Sequence, residues 1–164
     1  DHLADEKIDA VYSSDLKRAK VTADVISSGH EIDIVTCSEL REMNYGDAEG
    51  FTFDQIRQHY PELANSVSDF DLQLEFPGGE SFQGLIQRTI TFLDRLEEHQ
   101  PSATILVVSH SGPLRVLVCD LLGIDQTHWR QIGCGNASLS IVETYPSGAI
   151  LSLLNDTSHL TKNV

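Results

Sequence analysis

The most apolar run in the chain is Thr104-Ile105-Leu106-Val107-Val108, which stops at Ser109-His110-Ser111-Gly112. Its β-branched residues and strand-like length read as a buried parallel strand covered on both faces. Weaker versions of the same signal lie upstream, at residues 10–13 and 32–37. Between them Leu16, Ala19, Ala23 and Ile26 recur at helical spacing, with Asp15 placed to cap the helix and Gly29 to end it. Residues 38–50 show no clean period and read as loop. Residues 52–60 form a short predicted helix closed by Pro61, and residues 65–79 look irregular. Ser81 caps a long predicted helix with Phe82, Leu85, Ile86, Leu93 and Leu96 on one face. After the central strand, residues 112–122 read as a helix with Leu114, Leu117, Val118 and Leu121 inward, ended by Gly123. Residues 137–144 and 149–154 read as a hairpin around Pro146-Ser147-Gly148. The tail after Asp156 is polar and reads as loose.

Strands alternating with helices predict one three-layer α/β/α domain with a mostly parallel sheet, and the closing hairpin adds an antiparallel edge strand. The 164 residues suit a single domain with a real core. Apolar content of 40% and charged content of 22% are those of an ordinary globular chain, with no signal peptide and no run long enough to span a membrane. Three widely spaced cysteines, Cys37, Cys119 and Cys134, make no disulfide framework and point to a reducing, cytoplasmic setting. The seven histidines include no His-x-x-x-His pair, so no metal site is expected. A net charge of −14 argues against nucleic acid and anionic membranes as partners. An anionic small molecule would have to be held locally by particular arginines. A homodimer stays open.

Four constellations could carry chemistry. Ser13-Ser14-Asp15-Leu16-Lys17-Arg18 places a cation in the first helical turn, where the dipole already attracts anions; the alternative is a solvated arginine on a capped helix. Arg suits phosphate through its planar fork. Leu40-Arg41-Glu42-Met43-Asn44-Tyr45-Gly46-Asp47-Ala48-Glu49-Gly50 sets Glu42 and Glu49 among apolar neighbours, where burial could raise a carboxyl enough to donate a proton near neutral pH; the alternative is a surface loop with a salt bridge to Arg41. Phe76-Pro77-Gly78-Gly79-Glu80-Ser81 reads as a turn and cap that leave Glu80 unexplained. Gly133-Cys134-Gly135-Asn136-Ala137-Ser138 could turn backbone N–H groups towards a pocket or be a plain tight turn. At the strand end, His110 could move a proton, bind an anion or attack an electrophile.

In this order the motifs resemble those of the histidine phosphatase superfamily, the phosphoglycerate mutase-like family, from Ala10 to about Ser138. The resemblance implies phosphoryl transfer through a phosphohistidine on a small phosphorylated metabolite. It assigns phosphate gripping to Arg18 and His110 and proton donation to the leaving oxygen to Glu42. Ser14, Ser111, Asn136 and Ala137 are expected to border the substrate, with Glu80 and residues 65–73 shaping its pocket. It needs no cofactor and no metal, because arginine and imidazolium neutralise the transferring group. The short interval between Glu42 and Pro77 resembles the phosphatase branch, which includes α-ribazole phosphatase, more than the mutases. The family's Arg-His-Gly motif, with its nucleophilic histidine, has no match here, since His2 stands between Asp1 and Leu3. The domain is therefore expected to be incomplete at its N-terminal side, and the chain by itself inactive. Mutase-type transfer and a noncatalytic phospho-ligand-binding or scaffold domain are the alternatives.

Overall fold

In the computed structural model, which describes residues 2–68 and 74–160, three parallel strands form the central sheet. They are β1 (Ala10–Ser14), β2 (Ile34–Cys37) and β3 (Ile105–Val108), in the order β2-β1-β3. Val11 pairs with Ile34 and Leu106, and Ser13 with Thr36 and Val108, so the strands end side by side. The period-two alternation sorts the core. Val11, Leu106 and Val108 pack against Ala23 and Ile26 of helix α1 (Lys17–Ser27) on one face. Tyr12, Ile105 and Val107 meet Leu40, Phe92 and Leu117 on the other. Helix α5 (Ser111–Leu122) and the 3-10 segment Phe92–Glu98 that continues helix α4 (Phe82–Thr91) supply that second face, which makes the three layers.

Two short helices, α2 (Phe53–His59) and α3 (Pro61–Ser68), lie between β2 and α4. Thr52 and Gln55 form a reciprocal capping box at the start of α2. Pro61 opens α3 rather than merely closing α2, since its fixed φ and missing N–H suit a first helical position. Part of the segment expected to be irregular is thus helical, and the rest of it, up to residue 73, lies outside the described residues. The long helix expected after Ser81 tightens into a 3-10 segment at Phe92–Glu98, with Phe92 fully buried.

Asp15 does not cap α1. The N-cap residue is Leu16, with no side-chain cap bond; just before it the Ser14 hydroxyl accepts from the Leu16 amide at 3.2 Å, while Asp15 takes both its oxygens to Arg41 at 2.7 and 2.6 Å. A bidentate ion pair outcompetes a neutral amide for that carboxylate. Arg41, in turn, is not available to neutralise Glu42.

Strands β4 (Leu139–Tyr145) and β5 (Gly148–Asp156) pair antiparallel as a second, two-stranded sheet rather than on the edge of the first. Val142 and Leu151 pack on Val118, Cys119 and Ile132. Helix α5 is therefore covered from two sides. Val116 and Cys119 are buried as well as Leu117 and Val118, whereas the expected inward pair Leu114 and Leu121 is only half-buried. Gly123 ends α5 in the left-handed region (φ 65°), the conformation glycine adopts most cheaply. A 3-10 turn at Ser158–Leu160 follows β5. No helix among the described residues is long and apolar enough to cross a membrane.

Candidate active site

The C-terminal ends of β1 and β3 bring Ser14 and His110 together, at the place where open α/β sheets bind ligands. His110 is the N-cap residue of α5 and is 8% exposed. The Nε of Arg18, in the first turn of α1, donates to its Nδ1 at 3.1 Å. A guanidinium can only donate, so Nδ1 is the acceptor and the ring proton sits on Nε2, which donates to the Ser14 hydroxyl at 2.9 Å. Both ring nitrogens are thus engaged. Burial is the main force holding the His110 pKa below its ordinary 6.5; the Arg18 charge adds to it, Glu42 opposes it and Arg88 adds a smaller share. The result is a neutral imidazole beside a permanent cation, between two helix N-termini that carry no acidic residue in their first turns. An arriving phosphoryl group would find fixed donors and a ring ready to take a proton.

Glu42 lies against the same helix end. Its Oε1 accepts from the amides of Met43 (2.9 Å) and Gly112 (3.2 Å), and its Oε2 from the Ser111 hydroxyl (3.3 Å). The approach depends on Gly112, because a Cβ there would stand 2.4 Å from Oε1. A proton on Oε2 would leave the Oε1 bonds intact and turn Ser111 from donor to acceptor. The carboxyl can therefore cycle a proton without rearranging. Glu49, the other candidate acid, turns away to accept from the Tyr45 amide at 3.0 Å and closes a local turn.

The loop carrying Glu42 is held from three sides. The Ser109 hydroxyl donates to the Leu40 carbonyl at 2.7 Å. Arg88 of α4 donates to the carbonyls of Glu39 (2.8 Å) and Glu42 (3.1 Å). Glu80, expected to help shape the substrate pocket, is tied to the loop itself. Its Oε1 accepts from the Asn44 amide (2.8 Å) and Arg88 (2.7 Å), and its Oε2 from Arg88 Nε (2.9 Å). With both oxygens so engaged, it braces the loop. One glycine from each motif serves the same packing, since a Cβ on Gly46 would meet the Pro77 carbonyl at 2.1 Å and one on Gly79 the Asn44 carbonyl at 2.4 Å. A polar cleft of about 320 Å³ borders this loop, lined by Arg41, Glu42, Asn44, Glu80 and Arg88 together with Ser38 and Glu39.

Ser111 thus reaches Glu42, and Ser14 reaches His110. Asn136 and Ala137 lie on an exposed turn, with Ala137 left-handed (φ 55°) and the preceding Gly135 amide tied to Asn155 Oδ1 at 2.6 Å. The residue that sequence reading missed is Arg88. Its signal was weak, a cation two turns along the helix whose start follows Glu80.

A family model described as the histidine phosphatase superfamily (branch 1) matches residues 1–157. Phosphoserine phosphatase 1 of Hydrogenobacter thermophilus is 32% identical over 158 residues, covering 96% of this chain and 75% of that protein. A metal-independent phosphoserine phosphatase of Arabidopsis thaliana is 32% identical over 162 residues, covering 96% of this chain and 65% of that protein. Among solved structures, α-ribazole phosphatase from Shigella flexneri superposes with a TM-score of 0.82 at 31% identity, over 93% of this chain and 75% of that one.

Proposed function

We propose, because the chain belongs to branch 1 of the histidine phosphatase superfamily, that it supplies the phosphate grip and the acid of a metal-independent phosphomonoesterase. The observation that carries this reading is the Arg18–His110 contact of 3.1 Å, set beside a carboxylate held on the first turn of α5. Arg18 and His110 bind the equatorial oxygens, and His110 takes up a proton as negative charge arrives. Glu42 passes its proton to the departing ester oxygen. The P–O bond to the leaving group breaks as a P–N bond to an attacking imidazole forms. Water then takes the phosphoryl group, with Glu42 recovering the proton as base.

In this reading His110 is spent on holding the phosphate beside Arg18, and the attacking ring is another histidine. A small phosphorylated metabolite as substrate is supported by the chain's similarity to phosphoserine and α-ribazole phosphatases. A second reading, phosphate binding without turnover, is favoured by one observation: among the described residues, His110 is the only histidine hydrogen-bonded to Arg18 or Ser14.

The experiment is p-nitrophenyl phosphate hydrolysis in excess EDTA by the protein expressed from its whole reading frame, with acid-labile phosphoenzyme trapped in parallel. Hydrolysis with a labelled histidine other than His110 is expected. Activity abolished by EDTA overturns the reading. Phosphate binding without label favours the binding domain, and faster isomerisation of 3-phosphoglycerate than hydrolysis favours a mutase.

A further inference from the structure

Three side chains far apart in sequence meet at the end of β5, away from the residues assigned to phosphate. They are His2 in the first turn of the described chain, Asp156 at the last position of β5, and His159 in the 3-10 turn that follows. One ligating atom from each lies within 4.8 Å of the other two. We propose that His2, Asp156 and His159 form a binding site for a divalent transition-metal ion, with zinc the best match.

The donor set decides the class of ion. Two imidazoles and one carboxylate suit zinc, cobalt, nickel or copper, whereas magnesium and calcium take oxygen ligands almost throughout. Tetrahedral zinc with ligands at about 2.0–2.2 Å places its donors roughly 3.4 Å apart. The donor atoms here lie within 4.8 Å of one another, and His2, with 46% of its side chain exposed, has room to close that spacing. Three protein ligands leave a fourth position for water.

The groups around the cluster match this use. Asp156 is oriented by Ser158, whose amide and hydroxyl donate to its two oxygens at 2.9 and 3.0 Å, as outer partners orient metal-binding carboxylates. The His2 and His159 rings stand nearly parallel, with centroids 5.1 Å apart and an interplanar angle of 17°. The His159 Nδ1 is buried without a hydrogen-bond partner. A plain ion pair explains the cluster less well, since His2 Nε2 stays 3.9 Å from Asp156 Oδ2. The net charge of −14 draws cations to the surface generally, and the histidines give this spot its preference.

The ion would be structural. It would fasten the start of the chain to the end of β5, next to Asn155, whose side chain holds Gly135. The test is titration of untagged, EDTA-stripped protein with zinc chloride by calorimetry, with cobalt chloride as a spectroscopic probe. One equivalent is expected, with intense tetrahedral cobalt bands and a raised Tm. His2→Ala, His159→Ala and Asp156→Asn are each expected to weaken binding at least about tenfold. His2→Ala alters an exposed side chain, so a folding defect would not mask the result. Binding equally strong in His2→Ala and His159→Ala, or none up to millimolar zinc, overturns the proposal. Phosphate binding at Arg18 and His110 is expected to be unchanged in all three variants.

Discussion

Glu80 and Arg88 face each other in a fork of two charge-assisted hydrogen bonds, 2.7 and 2.9 Å long, and Arg88 spends its other N–H groups on the backbone of the loop that carries Glu42. The pair is three-quarters buried and belongs to the scaffold of the acid. Glu80→Ala leaves both the Arg88 charge and the Asn44 amide without a partner. Such losses cost about 1–3 kcal/mol, so a fall in denaturant midpoint with an unchanged m-value is expected. A fall in kcat larger than any rise in KM for phosphate esters would confirm that the loop, and not substrate contact, was damaged. A KM effect alone would return Glu80 to the substrate.

Gly112→Ala places a methyl group where the Glu42 carboxylate lies. The carboxylate must move by about an ångström, a displacement that costs roughly 100-fold in a positioned group. Alkyl phosphate hydrolysis should fall by about that factor and aryl phosphate hydrolysis by less, because a phenolate leaves without much help. Retained phosphate binding would show that the Arg18–His110 grip survives.

Glu42→Gln keeps the shape and removes the proton donor. A loss of about 100- to 10,000-fold is expected on alkyl esters, with aryl esters affected least. Equal losses on both would argue that Glu42 orders the loop and does not act as the acid.

His110 links phosphate binding to pH. Burial and Arg18 lower its pKa in the folded chain below the unfolded value of 6.5. A group so depressed contributes stability above the unfolded value, and that contribution is lost as pH falls through the folded pKa. Unfolding free energy should therefore drop on acidification below about 6.5, and His110→Gln should drop less. A phosphate dianion raises the same pKa, so binding is expected to take up a proton. Calorimetry in buffers of differing ionisation enthalpy measures that uptake directly, and its absence would mean the ring stays neutral in the complex.

Sequence periodicity revealed the layers because each strand faces two helices and each residue there has one apolar choice. Small residues, Pro and Gly marked the strand ends and helix starts at Ser14, Arg18 and His110, and the family resemblance was what grouped the three. Less legible were partnerships that depend on which charges end up facing each other. Nothing in the order of residues tells Asp15 to leave its helix for Arg41, or Glu80 to pair with Arg88. Likewise the breadth of burial on α5 follows from the hairpin packing behind it, a tertiary fact without a local signature. The meeting of His2 with His159 joins the two ends of the chain, beyond the reach of any motif.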